Sequence, residues 1–204
     1  MSVVVLISGR GSNLQALIEA GLPVAAVISN FAGAKGLETA RARGIATRVI
    51  EHGRFASREA FEAALAAQIA DFSPRLIALA GFMRVLTPSF VQRHRERLLN
   101  IHPSLLPAFP GLDTHARALA AGVKLHGCTV HFVTAEVDHG PIVMQAAVRV
   151  RPGDSAAALA ARVLEQEHVV YPRAARWFLE DRLVLQDGIV TVKGNDAQLV
   201  VPAD

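Results

Sequence analysis

The 204-residue sequence predicts an α/β fold: a doubly wound, mostly parallel sheet that ends in a helix and a hairpin. Three observations lead there. Short apolar runs recur at 3–7, 24–28, 46–50 and 76–80, each of strand length and bounded by turn-forming or polar residues. Stretches with helical spacing separate these runs, which is the pattern of βαβ units. The runs are apolar throughout rather than alternating, as strands covered on both faces are.

The elements follow in order. The first run, Val3–Ile7, leads through Ser8-Gly9-Arg10-Gly11-Ser12-Asn13 into a helix reaching about Ala20, with Ser12 and Asn13 placed as its caps. Residues 37–43 read as a helix stopped by Gly44. Ser57 is placed to cap a longer helix in which Phe61, Leu65, Ile69 and Phe72 share one face, and Pro74 closes it. Thr87-Pro88 opens the next helix, because proline suits a first turn. A short strand is expected at 98–101, then two longer alternating strands at 129–134 and 141–150. From Asp154 a helix passes Ala160 and Val163 towards Phe178, with a kink expected at Pro172. Residues 183–185, an Asp187-Gly188 turn and Ile189–Val192 form a closing hairpin. With no repeat, low-complexity stretch or Ser/Gly-rich linker, residues 1–204 are expected to make a single domain.

Composition narrows the function. Hydrophobic residues make up 51% and mean hydropathy is +0.32, so a sizeable core is expected and wholesale disorder is not. The net charge of +3 comes from scattered Lys and Arg with no basic run, so nucleic acid is not expected as a partner. A mild positive bias suits a phosphorylated or polycarboxylate small molecule. The amino terminus lacks the basic region and apolar length of a signal or membrane span, so no membrane partner is expected. The lone cysteine, Cys128, forms no internal disulfide, which fits a reducing, cytoplasmic setting. Its apolar alternating surroundings read as a packed strand thiol rather than a nucleophile.

The Gly-rich turn after the first run is where free backbone N–H groups face outward at a helix start, a position that favours an anion. It resembles half of a dinucleotide fingerprint. The third glycine is absent, however, and Ser29-Asn30-Phe31 stands where an acidic residue would follow the second strand. A phosphate site, a plain tight turn and a dinucleotide site all remain open on these residues, in that order of weight.

The most informative stretch is Leu98-Leu99-Asn100-Ile101-His102-Pro103-Ser104-Leu105-Leu106-Pro107. A strand delivers Asn100 and His102 two residues apart, so both side chains leave the same face. An amide donor beside an imidazole is what acyl transfer asks for: one group stabilises an oxyanion, and the other carries a proton near neutral pH. Pro103, Pro107 and Pro110 stiffen the loop that follows, and a cis Leu106–Pro107 peptide is expected. The plain alternative is a satisfied core histidine and a turn-forming asparagine. Of the other histidines, His131 reads as mid-strand core, and His52, His94, His126 and His168 show no polar cluster. His115 reads as a capped surface turn, and no helical His pair supports a metal site.

Here the sequence resembles the folate-dependent formyltransferases, whose shared pattern is N-x-H-P-S-L-L-P. The longer H-P-S-L-L-P-x-F-P-G, at 102–111, is similar within that superfamily to the phosphoribosylglycinamide formyltransferase (glycinamide ribonucleotide transformylase) family. So are V-L-I-S-G-R-G-S-N-L-Q-A at 5–16, A-G-F-M-R-V-L at 80–86, H-G-C-T-V-H-F-V at 126–133 and E-x-x-x-Y-P at 167–172. The matches run in order along nearly the whole chain.

The resemblance implies a Rossmann-like formyltransferase fold, with a phosphate-binding half at 1–100 and a folate and catalytic half at 101–204. It implies a direct transfer from the co-substrate 10-formyltetrahydrofolate to the amine of glycinamide ribonucleotide, with no metal. The catalytic residues would be Asn100, His102 and Asp138. Asp138 stands in Val137-Asp138-His139-Gly140-Pro141, which by itself reads as a turn carrying a carboxylate. In the family's D-x-G-P motif the aspartate pairs with the motif histidine, balances its charge and helps move a proton through water.

By the same resemblance Gly11, Ser12 and Asn13 would hold the substrate phosphate, and Met83, Pro103 and Glu167 its ribose and amine. Arg58, Arg84, Val85 and Leu86 would meet the folate. The plain readings of these residues are a solvated helix carboxylate for Glu167, an exposed helix arginine for Arg58 and strand-end packing for 83–86. Two positions depart from the pattern. Leu164 stands where a glutamine often precedes the motif glutamate, and Ala108 where a basic residue is common. The implied partners are the two small molecules, and the chain is expected to act as a monomer or homodimer.

Overall fold

The computed structural model describes residues 2–202, which divide into two compact units, one up to Asn100 and the other from Ile101. In the first unit, β1 (Val3–Ile7), β2 (Val24–Ser29), β3 (Ala46–Val49), β4 (Leu76–Leu79) and the start of β5 (Leu98–His102) are all parallel, in the order β5-β4-β1-β2-β3. The chain winds outward from β1 through β2 to β3, then returns to β1's other edge with β4. That reversal puts a topological switch point at the carboxyl ends of β1 and β4. Every residue of β1 and β4 is buried, as the unbroken apolar runs require.

The helices α1 (Ser12–Glu19), α2 (Gly36–Ala42), α3 (Arg58–Ala70) and α4 (Pro88–Arg93) connect these strands. Ser57 caps α3 by accepting the Ala60 N–H at 3.1 Å, and Phe61, Leu65 and Ile69 are buried as the spacing predicts. The helix stops at Ala70 rather than at Pro74, because Ser73 takes a left-handed φ of 42° and turns the chain first. Thr87 caps α4, with Pro88 in its first turn. The buried Thr87 also ties α4 to α3: its N–H donates to Glu62 Oε1 at 2.7 Å and its hydroxyl to Glu62 Oε2.

One expectation fails at α1. Neither Ser12 nor Asn13 is its cap; Gly11 takes that position with φ 79°, and its carbonyl accepts the Gln15 N–H at 2.9 Å. A Cβ at residue 11 would stand 2.6 Å from the Gly36 Cα, so steric room as well as backbone angle calls for glycine there.

In the second unit β6 (Leu125–Phe132) and β7 (Ile142–Arg149) pair antiparallel, and β10 (Leu199–Val200) runs parallel to β7. β6 begins four residues earlier than the alternation suggested, because its start is held by the pairing of Leu125 with Arg149. The short α5 (Thr114–Ala120) and the long α6 (Ala156–Leu179) belong here too. Leu159, Val163, Val170, Tyr171, Ala174 and Ala175 of α6 are fully buried, and each large apolar chain contributes about 1.5–3 kcal/mol. Ser155 caps α6, while Asp154 binds Arg162 and the Arg151 N–H instead. The helix continues through Pro172 without interruption. β8 (Leu183–Gln186) and β9 (Ile189–Val192) form the expected hairpin about Asp187-Gly188.

The Thr87–Glu62 tie generates a stability prediction. Thr87→Ala removes a cap and leaves a buried carboxylate short of a donor, so unfolding should cost about 1–3 kcal/mol less in a urea melt. An unchanged midpoint would show that the tie contributes nothing.

Candidate active site

The catalytic candidates lie on and beside β5. Asn100 and His102 occupy alternate positions of this strand, so the pleat turns both to one face. Asn100 is half-buried at the strand's middle, and His102 is buried at its end, where the proline-rich loop begins.

His102 is held from two sides. Its Nε2 donates to the Phe109 carbonyl at 3.1 Å, and its Nδ1 stands 3.4 Å from Asp138 Oδ2. Both ring nitrogens face oxygen acceptors, which hold the ring from opposite ends. The expected contact of Asp138 with His102 is therefore present. Phe109 reaches His102 because the loop turns sharply, with φ of 54° at Phe109 and 80° at Gly111, and the Leu106–Pro107 peptide is cis as expected.

Asp138 follows the β6 strand in a turn and adopts φ 57°, a left-handed conformation that aspartate tolerates better than most residues. Its Oδ2 also accepts the Gly111 N–H at 2.8 Å. Gly140 and Pro141, two and three residues further on, explain the turn motif. A Cβ at Gly140 would overlap the Phe132 carbonyl oxygen, and the Pro141 carbonyl accepts the Phe132 N–H at 2.9 Å. The carboxylate thus sits on a turn that only glycine can close.

His131 was expected to be plain core and is more than that. It is 2% exposed, its Nδ1 donates to the Phe132 carbonyl at 2.9 Å, and its Nε2 stands 3.8 Å from Asp138 Oδ1. Burial holds its pKa below the ordinary value, against the pull of the Phe132 carbonyl and Asp138. At 3.8 Å the ring confines the carboxylate rather than hydrogen-bonding it. Strand alternation alone hides this role, because the partner arrives from a later turn.

Three other histidines also have partners that the sequence did not suggest. His126 and His115 pair, Nε2 to Nδ1, at 3.2 Å, so His126 has a polar neighbour; His115 is half-buried in the first turn of α5, where a helix start was expected but without a side-chain cap. Phe109 packs edge-on against His126, with ring centroids 5.9 Å apart. Burial, with His115 beside it, lowers the His126 pKa from about 6.5 to about 4. His52 likewise has a partner, the Asn30 side-chain amide at 3.2 Å. Cys128 is fully buried and its thiol pKa is pushed far up by burial, as an inert packed thiol requires. Among the described residues no group of three His, Cys, Asp or Glu side chains is arranged to hold a metal ion.

The binding candidates divide between the units. In the first, the turn before α1 is fixed from two sides: the Gly36 N–H donates to the Gly9 carbonyl at 3.1 Å, and the Ser8 N–H to Gly81 at 3.1 Å. Gly11 and Ser12 are half-buried and Asn13 is buried at the head of α1. The Ser8 hydroxyl accepts the Met83 N–H at 2.8 Å and donates to Asn30 Oδ1 at 2.5 Å. The turn and the 83–86 segment therefore share an anchor at the switch point. Met83 and Val85 are 65% and 53% exposed, Arg84 is half-buried and Leu86 is buried. Exposed apolar chains there contradict the plain reading of strand-end packing for Met83 and Val85. Arg58 is exposed in the first turn of α3.

In the second unit, Pro103 is half-buried directly after His102, and Glu167 is 8% exposed on α6. That burial removes the solvated-carboxylate reading of Glu167. Leu164 lies one turn before Glu167 on the same helix.

In the second unit a strand-end imidazole with a half-buried carboxylate beside it has the parts that acyl-group transfer uses. A family model described as formyl transferase matches residues 1–175, and the chain belongs to that family. Phosphoribosylglycinamide formyltransferase of Escherichia coli (strain K12) is 50% identical over 200 residues, 95% of this chain and 94% of that protein. The crystal structure of phosphoribosylglycinamide formyltransferase from Anaplasma phagocytophilum superposes with a TM-score of 0.94 at 42% identity, covering 100% of this chain and 99% of that one. The Coxiella burnetii enzyme of the same name, solved in complex with CHES, gives 0.92 at 45% identity over 98% of both chains.

The histidine pair sets an acid limit on stability. With its folded pKa near 4 and an unfolded value near 6.5, His126 binds fewer protons folded than unfolded between those values. Its contribution is complete above about pH 6.5 and is lost as pH falls towards 4. The melting temperature should fall through that window, and His126→Leu should flatten the fall. An equal slope in the variant would assign acid sensitivity to other groups.

Proposed function

We infer that this chain transfers the formyl group of 10-formyltetrahydrofolate to the amine of glycinamide ribonucleotide, giving formylglycinamide ribonucleotide and tetrahydrofolate in purine biosynthesis. The observation that carries the residue assignments is His102 held between the Phe109 carbonyl and the Asp138 carboxylate, on the same strand face as Asn100.

The chemistry follows from that arrangement. The substrate amine attacks the formyl carbon, and negative charge develops on the formyl oxygen. Asn100 supplies an amide donor and His102 a ring N–H to that oxygen. The Nε2–H rests on a neutral carbonyl, and a developing oxyanion is the stronger acceptor, so the donor transfers to it as charge grows. Nδ1 keeps Asp138 as its partner, which fixes the ring and balances its charge. The proton lost by the amine passes through water beside Asp138 to the departing folate nitrogen. The new C–N bond replaces the old one, with no covalent enzyme intermediate.

The binding roles rest on placement. Gly11, Ser12 and Asn13 would receive the phosphate at a helix start, where backbone N–H groups point outward. Buried Glu167 suits ribose hydroxyls, and Met83 and Pro103 suit the ribose and amine. Arg58, Arg84, Val85 and Leu86 would receive the folate, the arginines matching its carboxylates and the apolar chains its ring. On this reading the phosphate contacts fall before Asn100, while His102 and Asp138 come from the residues after it. A monomer or homodimer acting in the cytoplasm fits this small-molecule chemistry.

The test is product formation. Purified protein should formylate glycinamide ribonucleotide and release tetrahydrofolate; hydrolysis of the folate without an amine product would reassign it as a hydrolase. His102→Asn should lower kcat by about a hundredfold or more with a modest change in KM, since it removes an interaction made in the transition state. Near-normal turnover in that variant would remove His102 from the mechanism.

A further inference from the structure

We propose that Gln145 and Thr129 are positioning residues for this reaction: a cross-strand pair that fixes the proline-rich loop and, through it, the orientation of His102 and Asp138. The proposal rests on the functional reading of His102 and Asp138 given above.

The two residues face each other directly across the β6–β7 ladder. Thr129 is fully buried, and its hydroxyl is saturated. It donates to the Ser104 carbonyl at 2.7 Å and accepts the Leu106 N–H at 3.0 Å and the Gln145 Nε2–H at 2.9 Å. The second Gln145 Nε2–H goes to the Leu106 carbonyl at 3.0 Å. A hydroxyl offers one donor and two acceptor sites, and an amide nitrogen two donors. All five are used, and three of them end on the loop backbone on either side of Leu105.

The loop cannot hold this path by itself. Its own ties are short: the Ser104 hydroxyl to the Ala108 carbonyl at 2.6 Å, and the Ala108 N–H to the Leu105 carbonyl at 3.0 Å. They shape the turn without fixing it to the sheet. Thr129 and Gln145 supply that attachment. Immediately beyond the pinned segment the loop presents the Phe109 carbonyl to His102 Nε2 and the Gly111 N–H to Asp138 Oδ2. One pinned segment thus sets both loop contacts to the catalytic pair, while neither Thr129 nor Gln145 reaches His102 or Asp138 itself.

Breaking the pair should loosen those contacts and leave substrate recognition in place. Displacement of a catalytic group by about 1 Å costs up to about a hundredfold in rate. Gln145→Met keeps the length and removes both donors; Thr129→Val keeps the shape and removes the hydroxyl; Thr129→Ser keeps every hydrogen bond. Steady-state kinetics with glycinamide ribonucleotide and 10-formyltetrahydrofolate are read beside amide hydrogen exchange at Leu106 and Gly111 and a melting curve for each variant. Gln145→Met and Thr129→Val should lower kcat about ten- to a hundredfold with KM within about threefold, and should speed exchange at both amides. Thr129→Ser should restore both readouts.

Faster exchange with kcat unchanged would overturn the proposal, because the pair would then be structural only. Loss of kcat without faster exchange would overturn it too, as would failure of Thr129→Ser to rescue. Gln145 is only partly buried, so Gln145→Met keeps a folded variant in the comparison if Thr129→Val does not fold. No amine product from the unaltered protein would instead overturn the formyl-transfer reading and the kinetic half of the proposal with it, while exchange would still report whether the pair holds the loop.

Discussion

The imidazole of His102 lies between two oxygen acceptors, and much of the second unit serves to keep them there. A histidine at a strand end is free to rotate about two bonds, and each rotation it makes is lost catalytic geometry. The Phe109 carbonyl and the Asp138 carboxylate remove that freedom from opposite ends of the ring. Neither acceptor is on β5. One arrives on a loop that doubles back after Pro103 and Pro107, the other on the turn that closes β6 to β7. The orientation of His102 is therefore a property of loops, and loops hold position only when something else ties them down.

The ties differ in kind. Asp138 is fixed by backbone geometry: its own left-handed conformation, a glycine two residues on with no room for a side chain, then a proline whose carbonyl completes the ladder to Phe132. The proline-rich loop is fixed by side chains, through the saturated hydroxyl of Thr129 and the amide of Gln145. The Gly111 N–H then joins the two by donating to the Asp138 carboxylate. Buried polar groups are costly unless fully paired, and that cost makes such a network specific, since any other loop path leaves donors and acceptors orphaned. In the first unit the same principle appears in smaller form, where the Ser8 hydroxyl bridges the Met83 backbone and Asn30.

Sequence reading succeeds where function is written in local spacing. Asn100 and His102 two apart on a strand, Ser57 and Thr87 at helix starts, and the unbroken apolar runs of β1 and β4 all follow from periods a reader can count. Asp138 is a different case: alone it reads as a turn former, and only the family's D-x-G-P motif assigned it to His102. His131 and Gln145 were invisible as site residues. Each occupies a position in an alternating strand where core or ladder is the natural reading, and each gains its role from a partner distant in sequence. Gly11 in place of Ser12 as the α1 cap is a miss of the same origin, since the close approach of Gly36 is a tertiary fact. Local rules were overridden wherever a second segment came within contact distance.

That pattern bears on how the chemistry is distributed. Asn100 and His102 sit on a strand, and strands are rigid, so on the proposed mechanism the donors to a developing oxyanion do not need to be rebuilt at each turnover. The groups that tune and orient them sit on loops, where small shifts redirect a donor without disturbing the core. Nε2 of His102 resting on a neutral carbonyl illustrates the advantage. A donor left unpaired in a buried site would cost stability, and one paired to a charge would resist transfer. A neutral acceptor satisfies the donor at rest and yields it to an oxyanion, so the resting hydrogen bond prepares the ring for the charge that forms beside it.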